Sequence, residues 1–597
     1  MITDMDQQLL KGGAFLVQET DPSNVFIVED LTEEQRMVLA MAKEFVEKEV
    51  LPVSEQIESL DIELTKKLLK KAGDLGLLGT SFPEEYEGYM QDFETNMALT
   101  AVVAPTRSFS LSMGAHTGIG MLPILYFGTE EQKAKYLPPC IRGDKFAAYC
   151  LTEPTSGSDA LSAKTQAVLS EDGKHYILNG QKMWITNAGF ADVFTVFAQI
   201  DGKDFTGFIV ERDWEGVSVG AEEKKLGIKG SSTRQVFFEN VKVPVENLLG
   251  EIGKGHKIAF NILNIGRIKL AAGVLGASKE LSTLSVNYAN ERKQFGKTLG
   301  NFGAIQHKLA EQATRIYAVE AAVHRAGRDI SRMEHQLLKE GKSLADALLG
   351  AAEEYAIECA ILKVYGSECL DYVVDEGLQI HGGMGYSEEM YMASAYRDAR
   401  INRIFEGTNE INRMLTIDML LKRVMKGEID LMQPALAVQK ELMSMPSFGE
   451  QATGLLAEEQ GYLTNLKKMF LAVAGATVQN LMEELKNEQE ILMNLADLVS
   501  EIYICESVIL STLKACEVRG EAACEGELTM ARLYINDAIE RCAIQAKNAV
   551  AAWAEGDTKR MLLLGIKRFS KHELLNTKNM RRQIAQQLLA ENKYCFK

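Results

Sequence analysis

Apolar residues recur at helical spacing near the start of the chain. The first such stretch is Val38, Met41, Ala42 and Phe45. Thr32 and Gln35 fit a capping box just before it, and Pro52 follows it, so a helix is predicted to begin after Thr32 and to end before Pro52. Residues 1–30 have no such pattern and are predicted to form an irregular extension. Helical patterns continue to about residue 144, which defines a helical domain over 31–147.

The pattern changes to short β-prone runs after residue 147. The runs are 193–200, 205–210 and 235–238. Turn pairs such as Asp172-Gly173 and Asp201-Gly202 separate the runs in this region. Strands joined by short turns pair antiparallel, so residues 148–254 are predicted to form a small antiparallel β domain.

Long amphipathic stretches return at residue 255 and continue to the C-terminus. They cover about 256–290, 303–330, 344–377 and 408–425. Their number and length favour a four-helix bundle over 255–428. A further helical domain is predicted over 429–597. The fold class is therefore mainly α with a β domain in the middle.

Composition and charge narrow the class of protein. The chain has 597 residues, 46% of them hydrophobic and 25% charged, which is typical of a globular protein with several domains. The net charge of −18 argues against nucleic-acid binding, which needs a basic face. Nine cysteines without a C-x-x-C pair favour a reducing cytosol. Residues 1–10 have no secretory signal pattern, so a cytoplasmic location is expected.

One segment departs from this acidic average. Residues 559–582 contain eight Lys or Arg and one Glu, with apolar residues interleaved. One interpretation is a basic helix that packs on the acidic body of the protein. The other is peripheral contact with the inner face of an anionic membrane, where each basic residue contributes about 1 kcal/mol.

Five motifs carry the candidate chemistry. They are Tyr149 to Ser158, Trp184 to Asn187, Arg292 to Gly296, Gln379 to Tyr386, and Phe405 to Glu410. Each alone also fits an ordinary structural role, such as a turn, a core aromatic or a helix cap. No G-x-G-x-x-G run supports a Rossmann nucleotide site, and no metal-ligand cluster stands out among the eight histidines.

Taken together and in this order, the five motifs resemble the acyl-CoA dehydrogenase family over about residues 31–425. The C-terminal extension is most similar to the very-long-chain branch. The resemblance implies an FAD enzyme that oxidises the Cα–Cβ bond of long-chain acyl-CoA to trans-2-enoyl-CoA in fatty-acid β-oxidation. It also implies a homodimer or dimer of dimers that passes electrons to electron-transferring flavoprotein. An acyl-CoA oxidase and a non-catalytic respiratory-complex assembly protein stay open as alternatives.

The resemblance assigns the catalytic base to Glu406. A carboxylate in an apolar pocket has a raised proton affinity, which suits removal of a weakly acidic α-proton. Phe405 would line that pocket, and Gly407 would let the backbone approach the thioester. Some relatives place the base on an earlier helix, but Gly266 occupies that position here and leaves Glu406 as the sole candidate.

The remaining motif residues are expected to surround the cofactor and the substrate. The implied FAD contacts are Tyr149, Cys150, Leu151, Thr152, Gly157, Ser158, Trp184, Ile185, Thr186, Arg292, Gln379, Ile380, His381, Gly382, Gly383, Thr408, Asn409 and Glu410. The implied substrate contacts are Ser158, Ser231, Asn264, Arg267, Phe405 and Gly407. Arg292 and residues 379–383 would reach the FAD of a neighbouring subunit. For Ser231, Asn264 and Arg267 an ordinary structural role stays open.

Two further details concern the ligands. Phe302-Gly303 replaces the glutamine-containing pair that touches the adenine side of FAD in many relatives, so that contact is in doubt. Gly114, Gly118 and Gly120 resemble the floor of the acyl pocket, where small residues would leave a deep channel. The alternative is close packing between helices.

Overall fold

A computed structural model describes residues 9–444 and 453–597. Residues 1–8 and 445–452 lie outside this description. The sequence-based expectation about residues 1–10 therefore falls mostly outside the described residues.

The predicted capping box at the first helix is confirmed. Thr32 Oγ1 accepts a hydrogen bond from the Gln35 amide, and Gln35 Oε1 accepts one from the Thr32 amide. The helices of this first domain are α1 (Glu33–Phe45), α2 (Ser54–Glu58), α3 (Ile62–Asp74), α4 (Phe93–Val103), α5 (Ser108–Ala115), α6 (Leu122–Phe127) and α7 (Glu130–Ile141).

The described part of the N-terminal extension is irregular, as predicted, and is bound to the helices that follow much later in the chain. Its turn at Asp21 is closed by a hydrogen bond from the Ser23 amide to the Asp21 carboxylate. The Gly13 amide donates to Glu358 at 2.7 Å, and Tyr355 donates to the Leu10 carbonyl. The extension therefore fastens onto the bundle.

A mostly antiparallel sheet forms the middle domain. Its strands are β1 (Ala147–Cys150), β2 (Gln166–Leu169), β3 (His175–Thr186), β4 (Val193–Ile200), β5 (Asp204–Glu211), β6 (Val217–Glu222), β7 (Thr233–Pro244) and β8 (Leu248–Leu249). The order is β6-β7-β3-β2-β4-β5-β8, and β1 pairs with β4. The antiparallel prediction holds for the hairpins but not for β1–β4 and β2–β4, which are parallel. These pairs join non-consecutive strands, which turn signals cannot reveal.

The predicted bundle is present, with one difference. Its elements are α8 (Gly255–Glu291), the short hairpin β9 (Lys293–Gln294) and β10 (Lys297–Thr298), α9 (Gly303–Lys339), α10 (Leu344–Glu354), α11 (Ala356–His381), α12 (Tyr391–Ala399) and α13 (Asn409–Met425). The stretch predicted as one helix over 344–377 is divided at Tyr355, which leaves the helical region at φ −102° and ψ 27°. By length and composition α8 could cross a membrane, but 61% of its most apolar window is buried inside the protein.

The last helices share a core with the bundle. They are α14 (Met432–Leu442), α15 (Ala457–Leu481), α16 (Gln489–Arg519), α17 (Glu525–Trp553), α18 (Gly556–Phe569) and α19 (Thr577–Glu591). Arg325 on α9 forms a buried ion pair with Glu506 on α16 at 2.9 Å. Tyr317 and Thr512, both buried, are hydrogen-bonded at 2.8 Å across the same interface.

The basic segment 559–582 pairs with acids of other helices at two of its cations, and Arg560 pairs with Asp557 of its own helix. Arg568 pairs with Glu441 on α14, and Arg581 pairs with Glu311 and Asp537. The packing interpretation accounts for these two residues, whereas Arg560 and Lys567 are exposed.

Candidate active site

A cavity of about 280 Å³ lies where α8 meets the N-terminal helices, the end of β3 and the loop before α13. Glu406 and Phe405 line it together with Thr186 and Gly266. The folding of the chain thus brings the predicted base, the predicted pocket residue and one predicted flavin contact to a single space.

A strained turn presents Glu406 to this cavity. Its φ is 58°, in the left-handed region, and Gly407 follows with φ 82°. Asn412 Nδ2 donates to the carbonyls of Gly407 and Thr408 at 2.8 and 3.0 Å. Thr408 Oγ1 accepts from the Ile411 amide and so caps α13. These hydrogen bonds hold a conformation that a residue with a side chain rarely adopts.

The Glu406 carboxylate is buried and its Oε2 has no hydrogen-bond partner among the described residues. Burial raises its pKa to about 7, and the positive charges of Arg267 and Lys363 oppose that rise. A base poised near neutral pH is suited to proton abstraction. The carboxylate faces Gly266, where an added Cβ would lie 2.6 Å from Oε2. The Glu406 carboxylate therefore occupies the space that a side chain at residue 266 would fill.

Arg267 and Asn264 hold the backbone of this turn. Arg267 Nε donates to the Glu406 carbonyl at 3.3 Å, and its Nη1 donates to Asn264 Oδ1 at 2.8 Å. Both side chains are more than 90% buried. The structure places these two residues, interpreted from the sequence as CoA contacts, against the catalytic turn.

Lys363 is a site residue that the sequence reasoning missed. Its side chain is fully buried, and Nζ donates to Asn409 Oδ1 at 2.7 Å. Burial lowers its pKa to about 8, and the charge of Glu406 opposes that shift. A single lysine within the apolar run 359–364 was the available signal, because buried lysines need a partner.

A chain of polar contacts continues from Asn409 to the C-terminal helices. Asn409 Nδ2 donates to Glu368 at 3.1 Å, and Arg413 donates to the same carboxylate at 2.8 Å. Arg413 Nε also donates to Asp497 on α16 at 2.7 Å. Asn409 is thus turned inward, while Glu410 is exposed at the start of α13.

Several residues assigned to the flavin lie on open surfaces outside the lining of the cavity. Trp184 is 52% exposed, an unusual state for a tryptophan, and it lies within β3 at φ 62°. A Cβ added at Gly157, Gly382 or Gly383 would meet no atom within 4 Å. Ser158 is exposed beside Gly157. These positions form open, small-residue surfaces that a cofactor can approach.

Other residues of the first two motifs are buried. Tyr149, Cys150 and Leu151 are at most 9% exposed, and Ile185 is 2% exposed. Their side chains pack in the sheet, so a contact from Cys150 to a ligand would come from its backbone. Half-buried Thr152 accepts a hydrogen bond at its carbonyl from the Met183 amide, which ties the two motifs together.

A buried ion pair stabilises the loop of the first motif. Lys182 Nζ contacts Glu153 Oε1 at 2.7 Å, and the two side chains are 0% and 3% exposed. Glu153 Oε1 also accepts from the Thr165 amide. The pair therefore fixes the loop that holds Gly157 and Ser158.

The residues predicted to reach a neighbouring subunit lie at one end of the bundle. The Tyr288 ring stacks on His381 with 4.2 Å between centroids, which joins the ends of α8 and α11. Arg292 and Gln379 are exposed there, as are Gly382 and Gly383. His381 and Ile380 are buried, and the His381 ring is bonded to the Gly377 carbonyl. Phe295, 93% exposed, continues this surface.

Ser231 is placed differently from the exposed ligand contacts. It is fully buried, and its hydroxyl has no hydrogen-bond partner among the described residues.

The glycines predicted to form the pocket floor have different surroundings. Gly114 and Gly118 line the cavity with no atom within 4 Å of an added Cβ, whereas Gly120 packs on the Ala147 backbone at 2.9 Å.

Family models match most of the chain. Residues 32–144, 148–241 and 253–421 match the N-terminal, middle and C-terminal domains of acyl-CoA dehydrogenase. Residues 465–568 match a second model described as an acyl-CoA dehydrogenase C-terminal domain.

Individual relatives agree with these matches. A probable acyl-CoA dehydrogenase of Bacillus subtilis is 46% identical over 98% of both chains. The human mitochondrial very long-chain specific acyl-CoA dehydrogenase is 40% identical over 64% of this chain and 58% of its own. The crystal structure of an acyl-CoA dehydrogenase complexed with FAD from Bacillus anthracis superposes with a TM-score of 0.95, at 46% identity, and covers 98% of this chain and 100% of that chain.

Fold and site together define an FAD-dependent oxidoreductase. The chain belongs to the acyl-CoA dehydrogenase family, and it is most similar to the very-long-chain branch.

Proposed function

We propose that this protein converts long-chain acyl-CoA to trans-2-enoyl-CoA in fatty-acid β-oxidation and passes the electrons to electron-transferring flavoprotein. The observation that carries the proposal is the Glu406 carboxylate at the wall of the cavity: its Oε2 is buried without a hydrogen-bond partner among the described residues, and burial raises its pKa to about 7. Bound FAD would supply the acceptor for the hydride that leaves the substrate. Trp184, Thr186, Gly157 and Ser158 are the residues of this chain placed to hold it.

Glu406 removes the α-proton in this proposal. The apolar wall excludes water, which keeps the carboxylate basic and prevents proton exchange with solvent. Arg267 holds the Glu406 carbonyl, so the carboxylate is aimed before substrate arrives. The Glu406 amide would donate to the thioester carbonyl, where negative charge develops.

Long acyl chains are proposed because of Gly114 and Gly118. These residues leave empty space at the cavity wall, where any larger side chain would shorten the channel. The similarity to the very-long-chain branch supports the same substrate class.

The test is anaerobic flavin reduction by a series of acyl-CoA lengths. The wild type should bleach its flavin, with a preference for long chains. Glu406→Gln keeps size and hydrogen bonding but removes basicity, so it should bind FAD and substrate and lose flavin reduction by about 1,000-fold or more. Glu239→Gln, an exposed glutamate of β7 outside the cavity lining, is the control. Near-normal bleaching by Glu406→Gln would overturn the assignment.

The electron acceptor is tested during turnover. A dehydrogenase should reduce electron-transferring flavoprotein and release little hydrogen peroxide. Stoichiometric peroxide would instead indicate the acyl-CoA oxidase. Absence of flavin reduction by any acyl-CoA would favour the non-catalytic assembly role.

We also propose a dimer or a dimer of dimers in a cytoplasmic location, with peripheral membrane contact through residues 559–582. The exposed Arg560 and Lys567 support such contact, whereas the ion pairs of Arg568 and Arg581 support packing. Reversing Arg560 and Lys567 to Glu should abolish liposome binding at low salt if the contact exists. Unchanged liposome binding would contradict the proposed membrane contact.

A further inference from the structure

Lys269 is a lysine in the wall of the acyl cavity. It lies on α8 three residues after Gly266, within the otherwise apolar run 268–276. Burial lowers its pKa to about 8, and no neighbouring charge contributes to the shift. Lys269 has no hydrogen bond or ion pair within residues 9–444 and 453–597.

This lack of a partner distinguishes the partly exposed Lys269 from two fully buried lysines of the protein. Lys182 is paired with Glu153, and Lys363 with Asn409. The Lys269 amine is only partly desolvated, and an anionic ligand in the cavity would offset that cost. The cavity wall therefore carries a cation that no acid of the described residues pairs with.

Other polar side chains of the cavity wall do not offer a free donor to a ligand. The donors of Thr80, Ser81, Asn96, Thr100 and Thr117 are hydrogen-bonded within the protein, which leaves the Lys269 amine as an unpaired donor there. Gly114 and Gly118 leave room for atoms beside them. A cavity built only for an alkyl chain would gain nothing from an unpaired cation.

We propose that Lys269 is a specificity-determining residue that binds a carboxylate on the acyl chain, so that the cavity selects ω-carboxyacyl-CoA thioesters. The inference rests on the proposed function and narrows its substrate class. Lys269 begins about 4.5 Å further along the α8 axis than Gly266, which faces the base. A charge-assisted contact between Lys269 and a carboxylate is strong and directional.

The test compares substrates on the FAD-loaded enzyme. Plain acyl-CoA, ω-hydroxyacyl-CoA and ω-carboxyacyl-CoA of matched lengths are mixed anaerobically with the wild type and with Lys269→Met, and kcat/KM for flavin reduction is measured. The wild type should favour the ω-carboxy chain at its best length by at least about 10-fold. Lys269→Met should lose that preference, and its kcat/KM on plain chains should rise. Lys257→Met, an exposed lysine of the same helix, should behave as wild type.

The outcomes separate this inference from the proposed function. Flavin reduction by plain chains with no wild-type preference for the ω-carboxy series would overturn the role of Lys269 and leave the dehydrogenase intact. Equal use of ω-hydroxy and ω-carboxy chains would overturn the choice of a carboxylate. If Lys269→Met fails to fold, the wild-type ratio and the Kd values of plain and ω-carboxy enoyl-CoA for the wild type decide the question. No reduction by any series would be a failure of the proposed function.

Discussion

Gly266 lies directly against the Glu406 carboxylate, so close that a methyl group at residue 266 would be 2.6 Å from Oε2. Since the carboxylate occupies that space, the observed position of Glu406 requires glycine at residue 266. Glu406 can be buried at the cavity wall only where α8 has no side chain.

Gly266→Ala should therefore displace the base without unfolding the protein. A shift of about 1 Å in a reacting group can lower the rate about 100-fold. We expect a loss of that order in flavin reduction, with FAD retained. Gly273→Ala is the matched control, because it lies on the same helix and cavity wall but its nearest atom is 3.8 Å from an added Cβ. Equal rates for the two variants would show that Glu406 does not depend on this space.

The pH dependence of kcat/KM should report the Glu406 carboxyl. Burial raises its pKa to about 7, and the base acts only when ionised, so activity should rise with pH through about 7 and then level off. The same raised pKa favours the protonated folded form. Its stabilising contribution is therefore present at low pH and is lost as pH rises through 7.

Lys363 lowers that pKa, since its positive charge favours the ionised carboxylate. Lys363→Met should move the acid limb of the profile to higher pH by about half a unit to one unit. Lys308→Met, on α9 and paired with Glu376, is a control for the loss of a lysine elsewhere in the bundle. An unshifted profile in a folded Lys363→Met enzyme would show that Lys363 serves only the packing of Asn409.

Arg292→Ala should weaken FAD retention and subunit association together, if the exposed end of α8 meets the cofactor of a second chain. Ultracentrifugation and flavin absorbance measure the two losses. Lys293→Ala removes the neighbouring exposed cation and should change neither. Full FAD occupancy in a stable wild-type monomer would contradict the shared site.

Lys182→Met should destabilise the protein by about 3–5 kcal/mol, because it leaves the Glu153 carboxylate buried without its partner. The loop that holds Gly157 and Ser158 should loosen with it. Replacing both residues, as in Lys182→Met with Glu153→Gln, should restore part of the loss in denaturant unfolding. Additive effects of the two changes would mean that the ion pair has no coupling energy.

Much of the fold was predictable from local patterns. The capping residues Thr32 and Gln35 and the run 193–200 gave element bounds that the structure repeats. Parallel pairing of β1 with β4 and the break at Tyr355 were not predictable, because they depend on contacts between distant segments.

The candidate site was likewise only partly predictable from the sequence. The motif pattern singled out Glu406 and Thr186, and the structure brings both to the wall of one cavity. It could not distinguish side chains that face a ligand from those that face the core. Cys150 and Asn409 point inward, and Lys363 and Lys269 reach the site from apolar helical runs that carry no motif.

The contact between Arg413 and Asp497 links the helix that follows the catalytic turn to α16, across 84 residues of sequence. Together with the buried Arg325–Glu506 pair, it makes the last third of the chain part of the same cooperative unit as the base. A calorimetric scan should then show the bundle and the C-terminal helices melting in one transition. Shortening the chain to its motif-bearing portion would expose a hydrophobic face, remove Asp497 from Arg413 and remove Glu506 from Arg325, so the shortened enzyme should lose stability.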